Sequence, residues 1–268
     1  MRGRWITKLV IVVLIFKALD CFPQTPEVDG IAHIALRVSN LDSSRNFFRR
    51  LGFEESFSLV GGGTTKEVFV KINDRQFIEL YPRVDDQQPL GWMHVCFESD
   101  SLNDLNSSYV TRGLTPSPVV KAGAGNLIFS LKDPEDRVVE FTQYMPGSLH
   151  FVDRGKHLGL HRISNELIGI RIPTPHVALS ERFYKSRLGF DEQNVKSGIR
   201  MRISSETHQW IEFDDGNATR PTEFWMLVSN ADEAAHQARE EGFAVRRKKR
   251  VAFIDDPDGN TFVLTEDY

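Results

Sequence analysis

One pattern recurs four times along this chain of 268 residues, and it constrains the fold more than any single motif. Residues 31–38, IAHIALRV, read as a strand rich in aliphatic and β-branched residues. Asn40 and Asp42 then offer helix caps, and residues 44–51 form a short amphipathic stretch with Phe47 and Leu51 four apart on one face. Gly52 ends that helix. Two further strand-like runs follow, residues 67–72 and 76–81, with Asn73-Asp74 as the turn between them. The unit is β-α-β-β-β. It returns at residues 92–97, from Leu167, and from residues 224–228, and its helices end on Gly52, Gly113, Gly189 and Gly242. Leu51-Gly52-Phe53 even reappears as Leu188-Gly189-Phe190. Repeats of this kind are units that cannot bury their apolar face alone.

Pairing the units two by two gives an α+β fold, four βαβββ modules in two domains with curved mixed sheets. Residues 25–146 make the first domain, 147–165 a linker with Pro146-Gly147 at its edge, and 166–268 the second. The length suits two domains of modest size, each large enough for its own core without disulfides. Only Cys21 and Cys96 are present, so no disulfide framework exists. The formal net charge of −4 gives no basic field for nucleic acid. The run Arg246-Arg-Lys-Lys-Arg250 reads as a solvated edge strand. Gly61-Gly62-Gly63 lacks the Lys-Ser/Thr of a phosphate loop and reads as a flexible turn.

Residues 1–24 differ from the rest. Arg2, Arg4 and Lys8 precede the apolar run of residues 9–16. That run is too short for a membrane span and matches a secretory signal, though Asp20-Cys21 makes a poor cleavage or lipidation site. Export to the periplasm or medium is the leading reading. An uncleaved N-terminal anchor, with membrane contact only through residues 1–20, and a cytoplasmic chain with a start assigned too far upstream are the alternatives.

Strand side chains alternate between faces. His33 lies in the opening strand of the first unit and Glu79 in its closing strand, 46 residues on. His94 and Glu140 hold the same two places in the second unit, also 46 apart. Two imidazoles and two carboxylates in matching positions point to one shared centre for a divalent cation: Zn, Ni, Fe, Mn or Co. Four protein ligands in an octahedral shell leave two positions for water or substrate. Arg37 shares the face of His33, and Cys96, two after His94, reads as a buried inert thiol. His150, His157 and His161 read as part of a polar linker face. The second half has lost the set: Gly169 stands for His33, Glu212 for Glu79, Phe224 or Trp225 for His94, and Val263 for Glu140.

Residues 31–144 resemble the vicinal oxygen chelate superfamily, which includes glyoxalase I, extradiol dioxygenases, bleomycin-resistance proteins and methylmalonyl-CoA epimerase. The motif HIALRV at 33–38, then Ser44, Phe47, Phe48, Leu51, Gly52 and Phe53, is close to the opening motif of glyoxalase I and departs from it at Phe48. The resemblance implies that His33, Glu79, His94 and Glu140 bind the metal. It implies that Glu140, or else Glu79, moves the proton, and that Arg37 contacts an anionic part of the substrate. The expected activity is that of a glyoxalase-like lyase or isomerase acting on a small carbonyl or hydroxy-carbonyl compound, as a monomer or homodimer. Two-domain extradiol dioxygenases of the superfamily carry iron in the C-terminal half on two His and one Glu; this chain has the opposite arrangement. A ring-cleaving dioxygenase using iron, and a metal-free small-molecule binding protein, are the alternatives. Export would weaken a strictly glutathione-dependent role. N-terminal sequencing of the mature protein checks the leader: export with cleavage gives a chain starting near residue 24, and an intact Met1 excludes cleavage.

Overall fold

The computed structural model describes residues 28–195, 198–215 and 220–267. The leader and Cys21 lie outside the described residues. Among the described residues, sixteen strands form two sheets of eight. The first contains β1 (Gly30–Val38), β2 (Glu54–Gly61), β3 (Thr64–Lys71), β4 (Phe77–Pro82), β5 (Gly91–Glu98), β6 (Val120–Lys121), β7 (Leu127–Lys132) and β8 (Val138–Gln143). The second contains β9 (Glu166–Pro173), β10 (Asp191–Val195), β11 (Gly198–Arg202), β12 (Trp210–Asp214), β13 (Glu223–Leu227), β14 (Val245–Lys248), β15 (Val251–Asp255) and β16 (Thr261–Thr265). Their orders, β2-β3-β4-β1-β5-β8-β7-β6 and β10-β11-β12-β9-β13-β16-β15-β14, are the same topology twice. Each is the paired βαβββ arrangement that the repeats predict.

In each module the opening strand pairs in parallel with the closing one, which needs a crossover helix. In the first, β1 lies parallel to β4 and α1 (Leu41–Arg50) makes the crossing. Asn40 caps α1 by accepting from Ser43 N at 2.9 Å, and Phe47 and Phe48 are buried. α2 (Leu102–Thr111) and α5 (Ala231–Glu240) serve the second and fourth modules. The third uses α4 (Val177–Arg182), continued as a π-helical turn over Phe183–Leu188. The four helix-ending glycines all take positive φ, between 77° and 90°.

The helix-bearing faces of both sheets share one apolar core. Phe47 meets Phe243 at 5.1 Å between ring centroids, Phe48 meets Phe262 at 5.4 Å, and Phe97 meets Phe190 at 5.2 Å. Burying aromatic rings across this joint contributes about 1.5–3 kcal/mol per side chain, so the two halves hold one another. The other face of each sheet is left free to carry a site. β14 lies at a sheet edge, and its arginines pair with Asp255 and Asp232, as a solvated edge strand should. No described helix is long and apolar enough to cross a membrane.

The segment between the sheets corrects the expectation of a polar linker. It contains α3 (Leu149–Val152) and buries His150 at 3 % exposure. Its later part presses on the end of α1: a Cβ on Gly52, where φ is +83°, would lie 2.4 Å from His161 O. Gly52→Ala therefore meets both backbone strain and a backbone collision, and is expected to destabilise by about 2–4 kcal/mol. Gly62→Ala, with φ +61° and open space around it, is expected to cost about 1–2 kcal/mol. Denaturant unfolding of both variants measures the difference.

Candidate metal centre

The centre forms where the two modules of the first sheet meet. β1 runs between β4 and β5, so Ala35 has Glu79 as its neighbour on one side and His94 on the other. His33 is flanked in the same way by Phe77 and Cys96, and Cys96 in turn by Glu140. Side chains in register on adjacent strands share a face. Four residues far apart in sequence thus reach one concave patch, and the small Ala35 and Cys96 between them leave room for it.

Three donors converge. His33 Nε2 lies 3.2 Å from His94 Nε2 and 3.4 Å from Glu140 Oε1. One ligand atom each from His33, His94 and Glu140 falls within 4.8 Å of the others. Glu79 is placed differently from the other three. Its Oε1 sits 3.1 Å from His33 Nδ1, on the far side of the ring, and its Oε2 lies 3.0 Å from the Tyr81 hydroxyl. That hydroxyl also touches Glu67. Glu79 thus lies against the Nδ1 side of His33, outside the three-donor cluster that its Nε2 faces. Tyr81 follows from strand alternation, two residues after Glu79. Glu67 is legible only once β3 is laid beside β4, with Phe69 opposite Glu79.

The electrostatics fit a cation. Burial pushes the Glu79 carboxyl well above its usual range, and the charges of Glu67 and Glu140 push it further. Burial likewise raises Glu67, against the hydrogen bond from Tyr81. Burial also acts upward on Glu140, but the hydrogen bond from His33 and the two imidazoles hold it below the ordinary carboxylate value. Burial lowers His94 to about 4, so its ring is neutral near pH 7 and can offer a lone pair. Three carboxyl groups crowded around two imidazoles in a poorly solvated place cannot all ionise without a cation to compensate them. A divalent ion held by His33, His94 and Glu140 would supply that compensation, and their N and O donors suit it. The first sheet thus holds a site for one divalent metal.

The sequence profile of the Glyoxalase/Bleomycin resistance protein/Dioxygenase superfamily matches residues 30–141. Those residues form a domain of that superfamily. Solved structures agree in fold over most of the chain. The 2,3-dioxygenase LapB from Pseudomonas sp. KL28 is similar with a TM-score of 0.71 at 16 % identity, covering 90 % of this chain and 93 % of that one. A Mn(II)-bound glyoxalase from Novosphingobium aromaticivorans gives 0.68 at 16 % identity, over 90 % and 83 %. A variant of homoprotocatechuate 2,3-dioxygenase from B. fuscum gives 0.67 at 19 % identity, over 91 % and 73 %. No curated protein matches at the level of sequence.

The second sheet, of the same strand order, carries other side chains at the corresponding positions. In register, Gly169 holds the place of His33, Glu212 that of Glu79 and Val263 that of Glu140. The place of His94 falls to Glu223 rather than Phe224 or Trp225, because Glu223 faces Arg171 as His94 faces Ala35. The small residues are gone too: Arg171 replaces Ala35, and Trp225 replaces Cys96. Trp210 lies over Gly169, where a Cβ would come within 2.3 Å of its ring. The Arg171 guanidinium reaches Glu212 at 2.8 Å and Glu223 at 3.0 Å. Arg200 reaches Glu212 at 2.9 Å. Resident guanidinium charge takes the part of an ion there.

Other candidates fall into place around the first site. Arg37 continues the His33–Ala35 row, and its Nη1 donates to Pro89 O at 3.1 Å. Cys96 is free and fully buried, and burial pushes its thiol well up, which leaves it inert. His157 pairs with Asp153 at 2.6 Å and belongs to no cluster of three metal donors among the described residues. Metal titration of the purified chain is expected to give one equivalent of divalent ion. His94→Ala should abolish tight binding, Glu79→Gln should weaken it about 10–100-fold, and Glu212→Gln should leave it unchanged.

Proposed function

We propose that this protein is a metal-dependent lyase or isomerase. Its substrate is a small molecule with two adjacent oxygens, a hydroxy-carbonyl or dicarbonyl compound. The observation that carries the reading is the three-donor cluster of His33, His94 and Glu140 on an otherwise walled concave face. Three ligands leave three octahedral positions, enough for a substrate that binds through two neighbouring oxygens. A divalent ion bound there would supply Lewis-acid polarisation of those oxygens and acidify the adjacent C–H bond.

The chain's own residues do the rest. Glu140 faces the substrate side with the more accessible carboxylate, 18 % exposed against 5 % for Glu79. It takes the proton from the carbon beside the polarised oxygen and returns it to a neighbouring atom. Glu79, held by Tyr81 and His33, keeps the His33 ring in place. Arg37, four residues along the same strand face, binds an anionic end of the substrate. Solvent is excluded by the fully buried Phe77 and the nearly buried Phe69 beside the donors.

A second reading is favoured by one feature. With Glu79 behind His33, the cluster is a two-His, one-carboxylate set, the donor arrangement of non-haem iron oxygenases. Ring cleavage of a vicinal aromatic diol with iron and oxygen would use all three free positions. Protein loaded separately with Mn, Zn, Ni, Co or Fe separates the two. The first reading expects deuterium incorporation beside the carbonyl of a hydroxyketone such as dihydroxyacetone in heavy water, lowered at least 100-fold in Glu140→Gln at saturating metal. Oxygen uptake on catechol with iron alone, and no exchange with any metal, would establish the second.

A further inference from the structure

The segment after β8 lays a strap across one end of the first concave face. Ser148 caps α3 by accepting from Phe151 N at 3.3 Å, and Leu149 N donates to Ala124 O at 2.8 Å. Lys71, fully buried beneath it, donates to Asp153 O at 2.6 Å and to Asp153 Oδ2 at 2.9 Å. Leu149, Phe151 and Val152 face outward and are exposed. His150 faces inward. Phe57, Phe69 and Phe77 stand nearly perpendicular to its ring at 4.9, 5.0 and 4.6 Å, and Tyr144 stacks on it at 5.0 Å.

This collar belongs to the metal site's own face. Phe77 is the cross-strand neighbour of His33, and Phe69 that of Glu79. Arg37 lies at the opposite end of the same strand. The trough that holds the donors therefore runs from Arg37 to His150.

Packing accounts for every part of His150 but one. Asn126, oriented with its amide nitrogen toward the ring, donates to Nδ1 at 2.8 Å. With the amide so oriented, which leaves Asn126 Oδ1 without a partner, the neutral imidazole carries its proton on Nε2. That atom is buried and has no hydrogen-bond partner. An unpaired buried N–H is unfavourable, and a phenyl ring would fill the same collar without it. Strap, latch and collar hold an imidazole rigidly, beside a metal site, with one donor unspent. Phe57 and Leu59, on the outer side of the collar, are only partly buried.

We propose that His150 is a further substrate-binding residue of the metal site, its Nε2–H donating to an acceptor atom at the far end of a small flat substrate whose paired oxygens lie at His33, His94 and Glu140. The inference rests on the two-oxygen chelation proposed above and holds for either chemistry.

Cobalt-loaded full-length protein tests it by binding, read from the visible bands of the ion. Catechol and 4-nitrocatechol are the probes: both offer adjacent oxygens, and only the second adds a distal acceptor. Wild type should prefer 4-nitrocatechol beyond the preference of His150→Phe by about tenfold, roughly 1.4 kcal/mol. Cobalt and catechol affinities should be unchanged in that variant, and its Tm should rise because the orphaned N–H is gone. His150→Gln, which keeps an amide donor near the Nε2 position, should restore most of the preference. Catechol binding with the same preference in wild type and His150→Phe overturns the role of His150 alone. Failure of both probes to bind cobalt-loaded wild type overturns the chelation reading and this inference with it.

Discussion

The antiparallel pairing of β1 with β5 is the joint on which the rest depends. Each module ends its own sheet at its opening strand, and that strand has an unpaired edge. Joining the two edges completes both hydrogen-bond ladders and turns two four-stranded pieces into one eight-stranded sheet. The same joint sets His33 beside Cys96 and Ala35 beside His94. A single register thus decides both the stability of the domain and the existence of the site. A slip of one residue would turn His94 and Glu140 to the face opposite His33 and Glu79.

The two halves show what that geometry does with different side chains. Where β1 offers His33 and the small Ala35, His33, His94 and Glu140 converge in a cluster able to hold a divalent ion. Where β9 offers Gly169 and Arg171, Trp210 covers the glycine and the guanidinium pairs with both remaining carboxylates. Buried carboxylates demand a counter-charge in either case. One half leaves that demand to a ligand and the other answers it from within the chain. The second sheet meanwhile keeps its packing role, lending Phe243, Phe262 and Phe190 to the common core.

Much of this was legible in the residues. The β-α-β-β-β frame, the glycine at each helix end and the doubled 46-residue spacing of His and Glu gave the fold, the module pairing and the place of His33, His94 and Glu140. Those signals are local: propensity, capping and alternation act within a few residues. Two details were read differently from sequence. The unbroken pairing of Glu223, Phe224 and Trp225 with Arg171, Ile170 and Gly169 puts Glu223, not Trp225, in the place of His94, and cross-strand register leaves no mark in local alternation. The segment 147–165 looked polar because its buried anchors, His150 and Asp153, are polar residues.

By itself, then, the sequence determined the repeat, the faces of the strands and the pool of metal donors, because strand period and turn chemistry are written residue by residue. Only the tertiary structure decided how that pool divides. Glu79 stands behind His33 rather than in the donor cluster because Tyr81 and the His33 Nδ1 engage its two oxygens. His150 reaches the same face because a latch to Lys71 folds the strap over it. These assignments rest on atoms brought together from strands up to about a hundred residues apart, and their distances exist only once the sheet has closed.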